Sequence, residues 1–565
     1  MSSPNIKQSP KVLIVGAGPT GLTHALALLH HGIPVRIIDK NPAPIHGQRG
    51  SGLHPRTFEI LESLGVLDEV WKLSHSIGKV KIYKMPGGTE IEKEIINPVP
   101  NPTPDVPFPS ARLHGQNHLE RILTEAISTY GYSVERGIEL KTFEQQENSD
   151  VVHVTLCHLS SGETVEGSYA YLIGADGGKS VVRKQLGLPF VGETREERLI
   201  LGDFVMEGMN EQCVHVWGEM SDLSLMARPT ETQGLFTLHL GGANLNNYVK
   251  TESDIEKSFE TLLKPATGGR EDIKIKEKIW VGQYRFNIRM APEFSKGRVF
   301  LAGDAGHVHS PTGGQGLNTG VHDSYNLAWK LALVLKNQAP PSLLSTYNIE
   351  RVPIVSEMLN ITTELMLKTF ARNANQDSST FDRGGKLNLL GVNYRFSPIV
   401  IDGGEKQAAV SPYGGAPGDH VRAGDRAPDA PGLLPLDKPG DVGITDEPHV
   451  TRLFKILDLR WHIVLIFEDN IPGGLKLDST TAMYSPELVR FVVVRQSGQA
   501  SHTGTVNSTA GLKIFEDTQG HAYKAYKSND DVSNVFVIRP DGYVGARLKD
   551  IKDVRTYFQG VFGDE

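Results

Sequence analysis

Cysteine is nearly absent from this chain. Among its 565 residues only Cys157 and Cys213 carry a thiol, and their wide separation gives neither a Cys-x-x-Cys pair nor a cysteine-based zinc site. Disulfide chemistry and thiol catalysis are therefore not expected. His307 and His309 are the nearest approach to a metal pair, but no third ligand follows at a convincing spacing. We predict no metal site.

Long hydrophobic runs and an excess of one charge sign are missing as well. The longest apolar runs, residues 11–16 and 463–467, are far shorter than the roughly 20 residues that span a bilayer. The net charge is -8 with both signs mixed along the chain, so the clustered basic surface that nucleic acids require is not expected. Residues 1–10 are polar and lack the pattern of a secretory signal. These absences predict a cytoplasmic protein without a membrane span.

The length indicates roughly two to four domains. Residues 11–15 are a short β-branched run typical of a buried parallel strand. Glycines, an alanine- and leucine-rich helix to about residue 31 and a second strand at 35–39 follow. This strand, helix and strand unit predicts the first half of a dinucleotide-binding fold.

The middle of the chain has a different pattern. Prolines crowd residues 87–109, which predicts an exposed and partly extended excursion. Residues 195–283 contain alternating segments typical of an antiparallel sheet with one face free to cover a ligand. A buried strand at 298–303 and a long helix over 317–336 then indicate a return to the first domain.

The first glycine loop lies directly between the first strand and its helix. Gly16, Gly18 and Gly21 permit a tight turn, close approach of a pyrophosphate and close packing of helix on strand. Asp39 ends the second strand, where a carboxylate can accept hydrogen bonds from a ribose. Lys40 follows it and is included in the predicted cofactor site. This loop alone does not distinguish NAD from FAD.

Two further glycine-rich motifs follow predicted strands. Residues 174–183 read Gly-Ala-Asp-Gly-Gly-Lys-Ser-Val-Val-Arg, and residues 303–318 begin Gly-Asp-Ala-Gly-His and end Pro-Thr-Gly-Gly-Gln-Gly-Leu-Asn. With the first loop, these motifs resemble, in order and spacing, the three fingerprints of the class A flavoprotein monooxygenases, the aromatic-hydroxylase group with a para-hydroxybenzoate-hydroxylase-like fold. The resemblance covers roughly residues 10–365. It implies bound FAD and NAD(P)H as a transient co-substrate without a second nucleotide-binding fold.

The resemblance also implies particular FAD contacts. Asp304 would hold the ribityl chain, Asp176 would support the pyrophosphate region and NAD(P)H handling, Arg49 would approach the FAD, and Gln116 would contact its ribityl side. The flavin ring would be met by one loop, whose predicted contact residues are Pro311, Gly314, Gly316, Leu317 and Asn318. Amides clustered there would stabilise an anionic reduced flavin.

Residues 49–57 resemble the subgroup that acts on phenols and polyketide-type aromatics. The phenol-hydroxylase branch has an aspartate where this chain has Ser51, so no catalytic acid or base is carried over from it. In the middle domain, Arg228, His215 and His239 lie on or beside predicted strands. An arginine there would bind a phenolate or carboxylate and a histidine would help to deprotonate a phenol. The alternative for each is a solvated or merely packed side chain.

Residues 423–429 and 537–543 resemble the thioredoxin-like domain at the C-terminus of phenol hydroxylases. Residues 405–565 contain no cysteine, so we interpret this domain as a packing module that helps a homodimer to form rather than as a redox module. The predicted fold class is α/β, with a Rossmann-like FAD-binding domain (10–190 and 290–370), an antiparallel substrate domain (191–289), a linker (371–420) and a thioredoxin-like domain (421–565).

The function implied is hydroxylation of a small phenolic or polyketide-type aromatic substrate. In the resembling family NAD(P)H reduces FAD, O2 forms a flavin hydroperoxide, and its terminal oxygen passes to the substrate. Two alternatives remain at this stage. One is Baeyer-Villiger insertion or epoxidation on the same scaffold, and the other is a flavin-binding protein without turnover.

Overall fold

The computed structural model describes most of the chain. The described residues are 9–76, 78–147, 149–370, 385–403, 411–414, 420–436, 449–458, 460–468, 478–498, 512–527 and 533–563.

Strands and helices alternate along these residues. The strands are β1 (Val12–Val15), β2 (Val35–Asp39), β3 (Gly52–Leu53), β4 (His75–Ser76), β5 (Lys79–Tyr83), β6 (Ile91–Ile96), β7 (Arg112–Leu113), β8 (Val134–Arg136), β9 (Ile138–Gln145), β10 (Val152–His158), β11 (Thr164–Tyr169), β12 (Tyr171–Gly174), β13 (Val191–Glu207), β14 (Cys213–Gly218), β15 (Ser224–Pro229), β16 (Leu235–Gly241), β17 (Lys274–Met290), β18 (Ser295–Lys296), β19 (Val299–Leu301), β20 (His307–Val308), β21 (Ile401–Asp402), β22 (Pro431–Pro435), β23 (Thr451–Arg452), β24 (His462–Phe467), β25 (Val489–Gln496), β26 (Leu512–Asp517), β27 (Val535–Ile538) and β28 (Val544–Leu548). The α-helices are α1 (Pro19–His30), α2 (Pro55–Ser63), α3 (Leu67–Lys72), α4 (Gln116–Thr129), α5 (Val181–Gln185), α6 (Leu245–Tyr248), α7 (Glu252–Ala266), α8 (Gln315–Leu335), α9 (Thr346–Phe370), α10 (Leu453–Ile456), α11 (Asp478–Thr481), α12 (His521–Tyr526) and α13 (Val554–Phe562).

The nucleotide-binding sheet predicted from the sequence is present. Its strand order is β18-β19-β12-β1-β2-β8, and the pairs from β19 to β8 are parallel. β1 is buried along its whole length, as a central strand of a covered parallel sheet must be. The three glycine motifs follow β1, β12 and β19, which are adjacent, so the sheet brings all three motifs to its carboxyl edge.

A second large sheet forms the middle of the molecule. Its order is β20-β17-β13-β16-β15-β14-β5-β6, and β13 and β17 are each 17 residues long. Residues 79–83 and 91–96 belong to this sheet, with β5 parallel to β14, although the sequence placed them in the FAD-binding range of 10–190. The difference arises because β6 is an edge strand whose residues are mostly exposed, so it lacks the buried alternation that identifies a strand in a sequence.

The C-terminal residues form the predicted thioredoxin-like domain. In its sheet, β24, β25 and β26 are parallel to one another, whereas β27 and β28 are antiparallel. Successive residues of β24 point to opposite faces. Val464 and Ile466 pack in the core shared with the FAD-binding fold, whereas Ile463 and Leu465 pack in a separate core within the domain.

The described parts of the predicted linker are packed against the rest of the protein. Within residues 371–420 the structure describes 385–403, 411–414 and 420. Leu387, Tyr394 and Tyr413 are buried there, and β21 adds a parallel strand beside β28. The weak periodicity of this region reflects packing by isolated side chains, which leaves no repeating pattern in the sequence.

Candidate active site

One large cavity joins the FAD-binding fold to the middle sheet. Its volume is about 2170 Å³, and its walls include Gly18 and Asp304 at one end and Leu201 and His239 at the other. Pockets for a single small ligand occupy about 300–1,000 Å³. The cavity therefore has room for a cofactor and a substrate side by side.

The first glycine loop has no space for larger residues. Gly16 has φ +107°, and a Cβ there would lie 2.2 Å from the carbonyl oxygen of Ala175. A Cβ on Gly21 would lie 2.0 Å from the carbonyl oxygen of Gly16, whereas Gly18 has open space before it and lines the cavity. The loop thus combines tight packing behind with an open face toward the cavity, as a pyrophosphate cradle requires.

Asp39 and Lys40 lie behind this cradle. The Asp39 carboxylate accepts hydrogen bonds from the backbone amides of Ala17 at 2.8 Å and Asn41 at 2.8 Å. Lys40 is exposed. Neither residue lines the cavity, so Asp39 orders the glycine loop and its predicted ribose contact stays a prediction.

Asp176 stabilises the turn after β12. Its carboxylate accepts hydrogen bonds from the backbone amides of Val181 at 2.6 Å and Val182 at 3.3 Å, which begin α5. Burial raises the pKa of this carboxyl group, opposed by these hydrogen bonds. Its neighbours Gly177 and Lys179 line the cavity, whereas Asp176 does not.

Asp304, unlike Asp39 and Asp176, lines the cavity. Its residue is exposed, and the surrounding protein raises the pKa of its carboxyl group, opposed by His307. The preceding residue is fixed from behind, because the amide of Gly303 donates to Asp323 at 2.9 Å. The backbone that presents Asp304 to the cavity is therefore fixed, and its predicted contact with the ribityl chain stays a prediction.

A buried ion pair holds that backbone. Asp323 accepts hydrogen bonds from Arg351 Nε at 2.8 Å and is 2.7 Å from His307 Nε2. Burial alone would raise the pKa of Asp323, but the positive charge of Arg351 and the contact with His307 hold it well below its usual range. The carboxylate thus stays ionised. Asp323 and Arg351 were not identified from the sequence, since a residue in a helical pattern gives no sign of a distant ionic partner, and His307 was considered only as a metal ligand.

The loop before α8 is the predicted flavin-ring contact. Pro311, Gly314, Gly316 and Leu317 line the cavity, and Gly314 has a left-handed backbone with φ +64°. α8 begins immediately afterwards, and the first amides of a helix have no partner within it. The helix end therefore offers amides and a positive dipole to the cavity.

Asn318 supports this loop instead of lining the cavity. Its Nδ2 donates to the carbonyl oxygens of Gly314 at 2.7 Å and Gly52 at 2.8 Å. Its Oδ1 accepts from the amide of His54 at 2.9 Å and from the hydroxyl of Thr57 at 2.7 Å. The side chain ties the loop to α2.

Arg49 and Gln116 both line the cavity. Arg49 has φ +41°, a costly conformation for a residue other than glycine, and its guanidinium lies 5.4 Å from the centre of the Trp280 ring. Gln116 donates to Glu120 at 2.9 Å, and burial raises the pKa of Glu120 to about 7.

Gln48 anchors the strained residue beside it. Its amide donates to Asp203 at 2.6 Å and its side chain donates to Glu231 at 2.5 Å. Both acceptors belong to the middle sheet region. Gln48, Asp203 and Glu231 are not evident as site residues in the sequence, because their contacts join segments more than 150 positions apart. The same holds for Trp280.

The middle sheet contributes one face to the cavity. Lining residues alternate along its strands, and they include Val214, Val216, Met226, Arg228, His239 and Gly241. Burial lowers the pKa of His239 to about 3, and the positive charge of Arg228 lowers it further. His239 is therefore a neutral side chain beside a cation.

His215 lies on the opposite face, so the structure does not place this predicted catalytic residue in the cavity. Its Nδ1 is 2.8 Å from the hydroxyl of Tyr83 and its Nε2 is 2.8 Å from the carbonyl oxygen of Asn210. The ring stacks with those of Tyr83 and Trp217. Neighbouring Val214 and Val216 face the cavity instead, because successive side chains of a strand alternate.

The comparisons with known proteins agree with this geometry. A family model described as FAD binding domain matches residues 9–362. A flavin-dependent monooxygenase of Mycobacteroides abscessus is 36% identical over 74% of this chain and 83% of its own length. The chain belongs to the FAD-binding family of flavin-dependent monooxygenases.

Other relatives extend the comparison. Pentachlorophenol 4-monooxygenase of Sphingobium chlorophenolicum is 31% identical over 64% of this chain and 65% of its own length. A crystal structure of aklavinone-11 hydroxylase with FAD and aklavinone superposes with a TM-score of 0.78 over 99% of both chains, at 24% identity. At that identity the likeness shows the fold.

The cofactor of this flavin-dependent monooxygenase is FAD, and NAD(P)H is the reductant of the family. The residues present fit FAD, because the glycine cradle excludes any Cβ at Gly16 and Gly21 while Asp304 and the start of α8 face the same cavity. Among the residues that the structure describes, no helix is long and apolar enough to cross a membrane.

The C-terminal region of this monooxygenase matches a second family model. Residues 493–565 correspond to the phenol hydroxylase C-terminal dimerisation domain. Both cysteines of the chain lie outside it, so the domain has no thiol for redox chemistry.

Proposed function

We propose that this monooxygenase uses NAD(P)H and O2 to hydroxylate a phenolic or polyketide-type aromatic compound. The observation that carries the proposal is that one cavity of about 2170 Å³ contains both sets of residues. The glycine cradle, Asp304 and the start of α8 line one part of it, and a largely apolar sheet face that also carries Arg228 and His239 lines another. The relatives that act on pentachlorophenol and aklavinone support an aromatic substrate.

The cofactor end of the cavity would bind FAD through its backbone. The amides near Gly18 and the start of α1 would hold the pyrophosphate, and Asp304 would accept hydrogen bonds from the ribityl hydroxyls. Pro311, Gly314, Gly316 and Leu317 would lie against the ring. When bound and reduced by NAD(P)H, FAD would activate O2 for transfer of one oxygen atom, a reaction for which protein side chains have no suitable group.

The substrate end would bind the aromatic ring and its hydroxyl group. Apolar residues of β14 and β15 would exclude water from the ring. A phenol has a pKa of about 10, so His239, with a pKa near 3, is too weak a base to remove its proton. His239 would therefore act as a neutral hydrogen-bond partner of the substrate rather than as a base. The charge of Arg228 would stabilise a phenolate.

The test combines a redox assay with isotope tracing. The purified protein is expected to carry one noncovalent FAD per chain, and a true substrate should accelerate NAD(P)H oxidation at least about tenfold. With 18O2 the product should gain one labelled oxygen on an intact aromatic ring. A ring-expanded product would indicate Baeyer-Villiger chemistry, and FAD binding without any substrate-dependent turnover would contradict an enzymatic role.

Two variants would separate the two ends of the cavity. Asp304→Ala should weaken FAD retention, because a charge-assisted hydrogen bond is lost. Arg228→Met should leave FAD retention unchanged and should lower turnover of a phenol about tenfold or more. Normal FAD occupancy in Asp304→Ala would contradict the role of Asp304, and full turnover in Arg228→Met would contradict phenolate binding.

We further propose that two chains associate through the C-terminal domain. The match of residues 493–565 to a dimerisation domain supports this proposal. Light scattering of the intact protein should give twice the mass of one chain, and a concentration-independent single-chain mass would contradict it.

A further inference from the structure

The segment that joins the FAD-binding fold to the C-terminal domain reaches the flavin end of the cavity. Leu387 and Asn388 line the cavity, and Leu387 Cδ1 lies 3.4 Å from the position that a Cβ on Gly313 would occupy. Tyr413, 26 positions after Leu387, is 1% exposed. The described parts of this segment thus form a wall directly behind the loop that contains Gly313.

The Gln315 side chain connects this wall to the loop. Its Oε1 accepts a hydrogen bond from the Tyr413 hydroxyl at 2.7 Å. Its Nε2 donates to the carbonyl oxygens of Gly313 and Leu387, each at 3.1 Å. Gln315 is fully buried, so these partners determine which way its amide group faces.

The carbonyl groups of the loop are held by buried side chains. Gly313 is bound by Gln315 and also lies 3.0 Å from His54 Nε2, and Gly314 is bound by Asn318. Both glycines have left-handed backbones, with φ +93° and +64°. The amide that shares a peptide plane with the Gly313 carbonyl is that of Gly314, and it donates to the carbonyl oxygen of Pro311 at 3.1 Å. These bonds together fix the shape of the turn that leads into α8.

Tyr413 begins the chain of hydrogen bonds that runs through Gln315 to the carbonyl group of Gly313. Burial raises the pKa of its hydroxyl, opposed by Arg351, so the group remains a hydrogen-bond donor at neutral pH. Without that donor, Gln315 Oε1 would be a buried acceptor lacking a partner, which is costly, and the side chain would lose one of the bonds that hold it in place. Such a change would reach the loop without altering any residue that lines the cavity.

We propose that Tyr413 is a positioning residue of the active site, whose hydroxyl anchors Gln315 so that the turn at Gly313 keeps its shape beside the flavin. This inference rests on the proposed FAD site and adds a contribution from the C-terminal extension to it. Tyr413 does not line the cavity and acts through Gln315.

The experiment compares two tyrosine-to-phenylalanine variants of the full-length protein. Tyr413→Phe should raise the dissociation constant of FAD about tenfold, since a buried acceptor loses its partner. It should also shift the visible absorbance band and the midpoint potential of the bound flavin. Tyr526→Phe is the matched control: Tyr526 is fully buried in the C-terminal domain and donates to the carbonyl oxygen of Pro428 at 2.9 Å. It should leave all three flavin properties unchanged.

A second variant shows whether the effect passes through Gln315. Gln315→Glu retains an acceptor for Tyr413 but loses the Nε2 donor, so it should also weaken FAD binding about tenfold and shift the band. If both act through one path, the double variant should be weakened about tenfold rather than about a hundredfold. Gln315→Glu also serves as the test if Tyr413→Phe does not fold.

The outcomes distinguish this inference from the proposed function. Unchanged flavin affinity, absorbance and potential in Tyr413→Phe, or in Gln315→Glu, would overturn the positioning role, as would equal effects of Tyr413→Phe and Tyr526→Phe. Fully additive losses in the double variant would overturn the path through Gln315. A wild-type protein that takes up no FAD would instead overturn the proposed function itself.

Discussion

Two groups of buried charges lie on the same pair of helices, α8 and α9, and hold different parts of the molecule. The cofactor cluster, Asp323, Arg351 and His307, fixes the amide of Gly303 beside the cavity. The docking cluster consists of Lys330, Glu350, Arg539 and Asp541, and it joins the helices to the C-terminal domain.

The docking cluster is the more extensive of the two. Glu350 lies 2.6 Å from Lys330 Nζ and 2.7 Å from Arg539 Nη1, and Arg539 Nη2 lies 2.6 Å from Asp541. Burial lowers the pKa of Lys330 to about 8, opposed by Glu350. Burial would raise the pKa of Glu350, but Arg539 and Lys330 hold it well below its usual range.

The difference lies in what each group holds. Asp323 and Lys330 are seven positions apart on α8, about two turns along one face, and their partners Arg351 and Glu350 are adjacent on α9. Asp323 on α8 therefore helps to order the cofactor loop, while Lys330, two turns further along the same helix, helps to hold the C-terminal domain. Each group has compensating charges, because a buried charge that lacks a partner is costly.

The largest effect is expected from breaking the cofactor cluster. Asp323→Asn leaves Arg351 buried without its counter-charge, which should lower the free energy of unfolding by about 4 kcal/mol. Because Asp323 also holds Gly303, FAD retention should fall as well. Urea unfolding and the FAD content after gel filtration measure the two effects. Retention of a full complement of FAD would show that this cluster does not order the cofactor loop.

Breaking the docking cluster should separate stability from FAD binding. Glu350→Gln leaves Lys330 without a carboxylate partner and leaves Arg539 paired with Asp541 alone, and we expect a loss of about 3 kcal/mol in the free energy of unfolding. The affinity for FAD should stay within about twofold of wild type. Protease digestion should release the C-terminal domain sooner. A loss of FAD as large as that of Asp323→Asn would remove the distinction between the clusters.

A smaller, pH-dependent effect is expected where the C-terminal domain meets α8. His462 is buried against Trp329 and Phe558, and burial lowers its pKa to about 3, helped by Arg539 and His31. The unfolded value is about 6.5, so the unfolded chain binds the proton first and stability falls as the pH drops below 6.5. His462 alone should cost about 2 kcal/mol between pH 7 and pH 5.

His462→Phe should remove this part of the acid sensitivity. Urea unfolding at both pH values measures it, and exposed His449 gives the matched control, since His449→Phe should leave the wild-type pH dependence intact. An unchanged pH dependence in His462→Phe would contradict the burial argument.

The cofactor half of the site was largely predictable from the sequence, because it depends on backbone shape. Gly16 and Gly21 are required by close contacts within one short loop, and local patterns record such requirements. β1 and β12 are buried along their whole length and are apolar in sequence. The adjacent position of β1 and β2 in the parallel sheet follows from the strand, helix and strand unit.

The substrate half was less predictable, because it depends on which face of each strand is turned inward. His215 and His239 both lie on strands with alternating residues, yet only His239 faces the cavity. When a strand has apolar residues on both faces, its sequence does not show which face is turned toward the cavity. Tyr413 and Asp323 were missed for another reason: their partners are distant in sequence, and no local pattern records them.

The pairing of β5 with β14 has a consequence for protein engineering. The wall around the substrate is assembled from two separate stretches of the chain, because β5 and β6 end at Ile96 and the rest of the sheet begins at Val191. In a chimaera that exchanged only residues 191–289 for those of a relative, the new β14 would have to pair with the original β5. Recombination aimed at a new substrate therefore needs residues 79–96 to travel with the middle segment as one module.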